Sequence, residues 1–299
     1  MFGILKPVLQ SKDSYYTYLA FFRVFLALHI LKKYFFYFPV LKDVLGENAL
    51  TGPTTDELLI SLGITNASAI YVVTALLITA VFMLFGIGKN YTIAVVYILV
   101  EIVQRLNGYL LNGGDNFLKF LLLYMIFANS FTRFTLFGSS KACKEESIPH
   151  LLNALAVFSI KVHLCLIYFI SGLFKANSKV WFHGVATYYT LSLERFSATD
   201  LNKTLVQNGL FVTLSTYTVL LWELFFPVLI WKKTLRLPLL SLGFLIHLGI
   251  YFMMMIHDFE IVFIATYGFF ITDKEWAAFG KRISGFSWVS NLAARLPKG

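Results

Sequence analysis

The chain has 299 residues, 58% of them apolar and only 14% charged, with a formal net charge of +9. A soluble protein is typically about a quarter charged, so an ordinary soluble domain, or a soluble domain on a single anchor, is excluded. The apolar residues fall in continuous runs of roughly 20, the length that crosses a hydrocarbon core. They do not alternate, which rejects a β-barrel and leaves an all-α, polytopic membrane bundle forming one domain over 1–299.

In chain order, residues 1–16 carry Lys6 and Lys12 without a short apolar core and small-residue cleavage site, so the first span is expected to act as the insertion signal. Eight spans are predicted, at about 15–38, 70–88, 91–111, 117–137, 151–174, 209–231, 237–256 and 258–273, with edges good to a few residues. The first contains Arg23 and His29. A loop over 39–69 follows, with Gly46, Gly52, Pro53 and the acids Asp43, Glu47, Asp56 and Glu57.

The third span carries Glu101 and Arg105 at i, i+4, the favourable order for a helix pair. If the helix continues, Asn112 falls about 20° from Glu101 on the same face. That predicts a polar stripe climbing to the knot Asn112-Gly113-Gly114-Asp115. In the fifth span Lys161, Tyr168 and Lys175 recur every seven residues and share a face. Glu223 in the sixth span is expected at the depth of Lys161, as its partner. The 175–208 loop is amphipathic, and Trp181, Tyr188, Tyr189 and Phe196 suggest an interfacial helix. His247 lies in the seventh span, the turn His257-Asp258-Phe259-Glu260 precedes the short last span, and the 274–299 tail is basic with aromatics. Two cysteines, Cys143 in a loop and Cys165 in a span, support neither a disulfide nor a zinc ribbon.

Loop charge sets the expected orientation. With the N-terminus cytoplasmic, 13 loop or tail lysines and arginines lie inside, among them Lys6, Lys12, Lys232, Lys233 and Lys281, against five outside: Lys42, Lys175, Lys179, Arg195 and Lys203. Both termini and the 274–299 tail are then cytoplasmic, and the 39–69 and 175–208 loops, Asn112–Asp115 and His257–Glu260 share the outer compartment. This inside bias accounts for most of the +9 charge without a nucleic-acid partner, and no basic-aromatic nucleic-acid motif is present.

Each polar residue has two readings. Asp115 either caps the fourth span or contributes to a site. Lys175 either snorkels to the interface or, where a wet-dry boundary disfavours its charged form, acts as a base. Trp181 fits an aromatic belt or a ligand contact, and His247 a packed bundle residue or a ligand contact.

The order of Arg23, Asn112–Asp115, the stretch Tyr168-Phe169-Ile170-Ser171-Gly172-Leu173-Phe174-Lys175, then Trp181-Phe182-His183-Gly184 and His247 resembles the HTTM family. This is the membrane domain shared with vitamin K-dependent gamma-carboxylase. The resemblance covers about Tyr15 to Thr272, and Tyr168–Lys175 is its most specific piece. It implies that Lys175 is the base that starts quinol oxygenation, with a vitamin K-like quinone as cofactor entering from the bilayer. The carboxylases also have a histidine directly after an asparagine at the outer end of a span; here Gly113 follows Asn112. The match does not extend to their luminal substrate domain. Short bacterial family members, one of which is needed to mature a secreted peptide toxin, are the closer analogue.

The expected protein is therefore a bacterial inner-membrane protein with an outward-facing polar cavity, acting in maturation of a secreted peptide or protein. Lys175 is the expected base. Asn112 and Asp115 position or polarise the substrate, His183 or His257 carries protons, and Trp181 and His247 contact the quinone. The alternative is a non-enzymatic binding or assembly subunit for a partner membrane protein or export machine. Lack of repeat halves argues against a transporter.

Overall fold

The computed structural model describes residues 15–46, 49, 54–108, 111–145, 147–196 and 199–284. Lys6, Lys12 and the 285–299 part of the tail, which entered the charge argument, lie outside the described residues. Every regular element among the described residues is helical. The principal helices are α1 Tyr16–Tyr37, α2 Ala69–Phe85, α3 Lys89–Leu106, α4 Gly113–Phe127, α5 Ile148–Ala176, α6 Gly209–Leu229, α7 Lys233–Met254, α8 His257–Thr266 and α9 Asp273–Ser284. Among the described residues, five helical stretches are long and apolar enough to cross a membrane: Tyr16–Val44, Asn66–Phe85, Ile148–Ala176, Gly209–Leu229 and Lys233–Met254. They make the chain consistent with an integral membrane protein. α3, α4 and α8 are shorter or more charged.

Helices consecutive in sequence pack side by side from α1 through α8, and the chain then folds back on itself. The ten-residue α8 packs on α1, α4, α5 and α7, which makes it the central post of the bundle. Its Val262 and Phe263 are enclosed, as is the carboxylate-bearing Glu260. The apolar run continues as a buried 3-10 turn, Tyr267–Phe270.

Local chemistry explains the helix ends. Ser147 caps α5, its Oγ accepting from the His150 N–H at 3.3 Å, with Pro149 in the first turn. Asn112 and Asp115 form a reciprocal capping box at the start of α4. Asn112 Oδ1 accepts from the Asp115 N–H at 3.1 Å, and Asp115 Oδ2 accepts from the Asn112 N–H at 3.0 Å. The start of α1 borrows a remote cap: Asp273 of α9 accepts from the Thr17 and Tyr18 N–H groups at 3.0 and 3.2 Å.

Three expectations need correction here. The third span does not run to 111. It ends at Leu106, and Asn107 turns extended with its side-chain amide donating to the Val44 carbonyl at 2.7 Å. The helical phase relation between Glu101 and Asn112 is thereby lost, and the stripe with it. The fourth span starts and stops early because the capping box initiates α4 at Gly113, while residues after Phe127 leave the helix. That irregular segment is held by Arg23. The guanidinium, wholly enclosed, donates to the carbonyls of Ser130 (3.1 Å), Arg133 (3.4 Å) and Phe134 and lies over the Phe131 ring. The single interfacial helix expected after Lys175 is three short ones, Lys179–Phe182, Ala186–Ser192 and Asp200–Val206.

Candidate functional site

The register between α5 and α6 decides which charges meet. Gly172 on α5 presents no side chain, so α6 lies against its backbone; a Cβ there would stand 3.2 Å from the Leu224 backbone nitrogen. Glu223 is therefore level with Lys175, and their side chains form an ion pair. This corrects the expected Lys161–Glu223 pairing. Lys161, four turns away on α5, instead donates to the Tyr15 hydroxyl at 2.7 Å and sits 4.2 Å from the Tyr15 ring centroid. The Lys175 ammonium also lies 5.0 Å from the Trp181 ring centroid. The short loop helix carrying Trp181 thus covers the pair and contributes cation–π attraction.

Below this pair runs a buried polar chain. The Tyr168 hydroxyl is 2.8 Å from His247 Nε2 and 2.8 Å from the Tyr267 hydroxyl, and His247 Nδ1 is bonded to Glu260 Oε2. All four side chains are buried, Glu260 completely. One proton assignment satisfies every contact: Tyr267 donates to Tyr168, Tyr168 donates to His247 Nε2, and His247 Nδ1–H donates to the Glu260 carboxylate. The ring is thereby fixed in tautomer and orientation, as a carboxylate fixes a catalytic histidine. Tyr168 and Lys175 lie two turns apart on one face of α5, which joins the chain to the Lys175–Glu223 pair.

Two carboxylate oxygens in this assembly are buried without a hydrogen-bond partner among the described residues, Glu223 Oε2 and Glu260 Oε1. A buried acceptor left unpaired costs about 1–3 kcal/mol. The cluster thus holds unused acceptor capacity beside a lysine and a histidine, which suits proton transfer to or from a bound donor.

A second polar group stands at the same end of the bundle. Lys33 of α1 and Asp115 of α4 form an ion pair with both side chains about 95% enclosed. Gln104 donates to the Asp115 carbonyl at 3.1 Å, and Lys32 pairs with Asp258 at 3.0 Å. The Asn112 knot and the His257 turn do come together. A Cβ on Gly114 would lie 2.8 Å from the Cα of Phe259, so the glycine lets α8 approach the start of α4.

The expected site residues thus divide. Lys175, Trp181 and His247 belong to one assembly with Tyr168. Asn112 and Asp115 belong to the second, where the capping box and Lys33 occupy both Asp115 oxygens. His183 is exposed, its ring 5.5 Å from that of Phe182, and the His257 ring lies 4.4 Å from that of Tyr251, tilted by 58°. The sequence reading passed over Glu260, Tyr267, Lys32 and Lys33 as site residues. A signal existed for the first two: an acid opening an apolar run, with a tyrosine seven residues on. The two lysines stood inside an aromatic-rich span without comment.

Glu101 and Arg105 do pair, at 2.8 Å, but as part of a surface network. Arg105 also reaches Asp56 at 2.9 Å, and Lys119 reaches Glu101 at 3.0 Å. The Asp56 carboxyl is held below its ordinary range, first by the Leu59 N–H it accepts as a helix cap and then by Arg105. Among the described residues no group of three histidines, cysteines or acids is placed to hold a metal ion. No family model, curated protein or solved structure matches this chain.

Proposed function

We propose that the chain is an eight-span membrane protein, both ends cytoplasmic, whose Lys175–Glu223 and Tyr168–His247–Glu260 assembly performs acid–base chemistry toward the outer face. The 13-to-5 division of loop lysine and arginine supports this orientation. One observation carries the acid–base reading: a lysine–glutamate pair and a histidine–glutamate pair adjoin inside an apolar bundle, each with a carboxylate oxygen unsatisfied among the described residues.

In the resting pair Lys175 is an ammonium facing a carboxylate. Transfer of its proton to Glu223 leaves a neutral pair and a free amine, the form that can abstract a proton. His247, oriented by Glu260, passes protons through Tyr168. The HTTM resemblance adds the reaction class: quinol-linked oxidation in the maturation of a secreted peptide or protein, with Trp181 against the quinone and His183 or His257 at the solvent exit. Asn112 and Asp115 hold α4 and α8 in place beside this assembly.

The test has two arms. Organic extraction of the purified protein should yield a quinone in about 1:1 ratio, and comparison of secreted peptides with and without the protein should show an unprocessed species. Lys175→Ala and Lys175→Arg should both lose processing while still inserting, because arginine stays protonated. Full processing by Lys175→Arg overturns the base role. Absence of both quinone and an unprocessed species points instead to a non-enzymatic assembly subunit.

A further inference from the structure

At the opposite end of the bundle a cavity of about 810 Å³ lies between α7, the Tyr267–Phe270 turn and α9. Tyr18, Arg236, Leu240, Phe244, Ile271 and Trp276 are among its walls. α9 is fastened across it at several points. Asp273 caps α1, and Glu275 pairs with Arg236. Glu275 also accepts from the Thr272 N–H at 2.9 Å and the Thr272 hydroxyl at 3.0 Å. The Trp276 ring is nearly parallel to that of Tyr18, at 5.7 Å.

Two wall residues carry buried N–H donors with no acceptor among the described residues, Arg236 Nε and Trp276 Nε1. Both groups only donate, so an occupant that satisfies them must bring acceptor oxygens. The rest of the wall is mainly aliphatic and aromatic, which calls for an apolar tail on the same molecule. The charge at this end selects the sign of the head. Glu275 is already matched by Arg236, Asp273 is turned to the α1 N-terminus, and Lys232, Lys233 and Lys274 are exposed nearby in the chain.

We propose that this cavity seats an anionic glycerophospholipid. Its phosphate oxygens accept from Arg236 Nε and Trp276 Nε1, and an acyl chain lies along Leu240, Phe244 and Ile271. A zwitterionic lipid supplies the same tail but lacks the net negative charge that favours the exposed Lys232, Lys233 and Lys274, neighbours in the chain of the wall residues Arg236 and Glu275. The inference does not depend on the acid–base reading, whose groups meet this cavity only at Tyr267.

The experiment is native mass spectrometry of the full chain released from micelles containing equal phosphatidylglycerol and phosphatidylcholine. The wild type should retain phosphatidylglycerol with about a fivefold or greater preference. Trp276→Phe keeps the ring on Tyr18 and removes only the donor, so it should lower that preference severalfold. Ser241→Trp, which fills the cavity, should abolish retention of both lipids, with an unchanged thermal midpoint showing that the bundle is intact. Equal retention of the two lipids by the wild type overturns the proposal. So does unaltered phosphatidylglycerol binding in Trp276→Phe and Ser241→Trp, and displacement of the lipid by inorganic phosphate would reassign the donors to free phosphate.

Discussion

Separating Lys33 from Asp115 should be the most damaging change at the α1–α4–α8 junction. Their side chains are only 6% and 4% exposed, so neither charge can turn to solvent once its partner is gone. Removing one member of a buried pair costs about 3–5 kcal/mol, mostly the penalty of the stranded charge. Lys33→Met should therefore cost about 3–5 kcal/mol, because Asp115 keeps only its bond from the Asn112 N–H. Asp115→Ala strands Lys33 and also breaks the capping box, adding about 1 kcal/mol. The double variant Lys33→Met/Asp115→Asn has no charge to strand and keeps a cap acceptor, so it should cost about 1 kcal/mol or less. Unfolding in mixed micelles, followed by tryptophan fluorescence, measures all three. At 1.4 kcal/mol per tenfold, Lys33→Met should shift the folded-to-unfolded ratio by about two to three and a half decades, Asp115→Ala by about three to four, and the double by less than one. A double variant as unstable as the worse single would refute the view that mutual neutralisation is the function of the pair.

Tyr168→Phe leaves His247 Nε2 and the Tyr267 hydroxyl without their shared partner; it should cost about 1–3 kcal/mol in the same unfolding measurement and slow processing by about 10²–10⁴ if the chain relays protons. Arg105→Ala should cost under about 1 kcal/mol, because Arg105 is about two-fifths exposed and its network is open to screening; a loss above 3 kcal/mol would show that the pair is buried after all. Asp56 has a folded pKa below its unfolded value, so its contribution is present above the ordinary carboxylate range and disappears as pH falls through the lower folded value. Hydrogen exchange in the 54–66 segment should therefore accelerate more on acidification in the wild type than in Asp56→Asn, and equal pH dependence would contradict that assignment. Gly114→Ala places a Cβ 2.8 Å from the Phe259 Cα and should destabilise by about 1–3 kcal/mol, read as a lower thermal midpoint.

Composition and run length alone determined that this is an all-helical chain with membrane-length apolar helices, since burying backbone polar groups in hydrocarbon leaves few other solutions. Local sequence also determined the helix starts: Asn112 with Asp115, and Ser147 with Pro149, act on groups within four residues of themselves. The seven-residue spacing correctly put Tyr168 and Lys175 on one face of α5, because that relation is internal to one helix. What lay across helices was decided elsewhere. Lys175 rather than Lys161 meets Glu223 because α6 packs with Leu224 against Gly172 of α5, and no periodicity within either helix encodes that offset. Glu260 joins His247, and Lys33 joins Asp115, because the short α8 folds into the centre of the bundle and draws α1, α4, α5 and α7 around it. Those partners are 13 and 82 residues apart in sequence. Their pairing is a property of packing, which settles only when every helix has buried its own face.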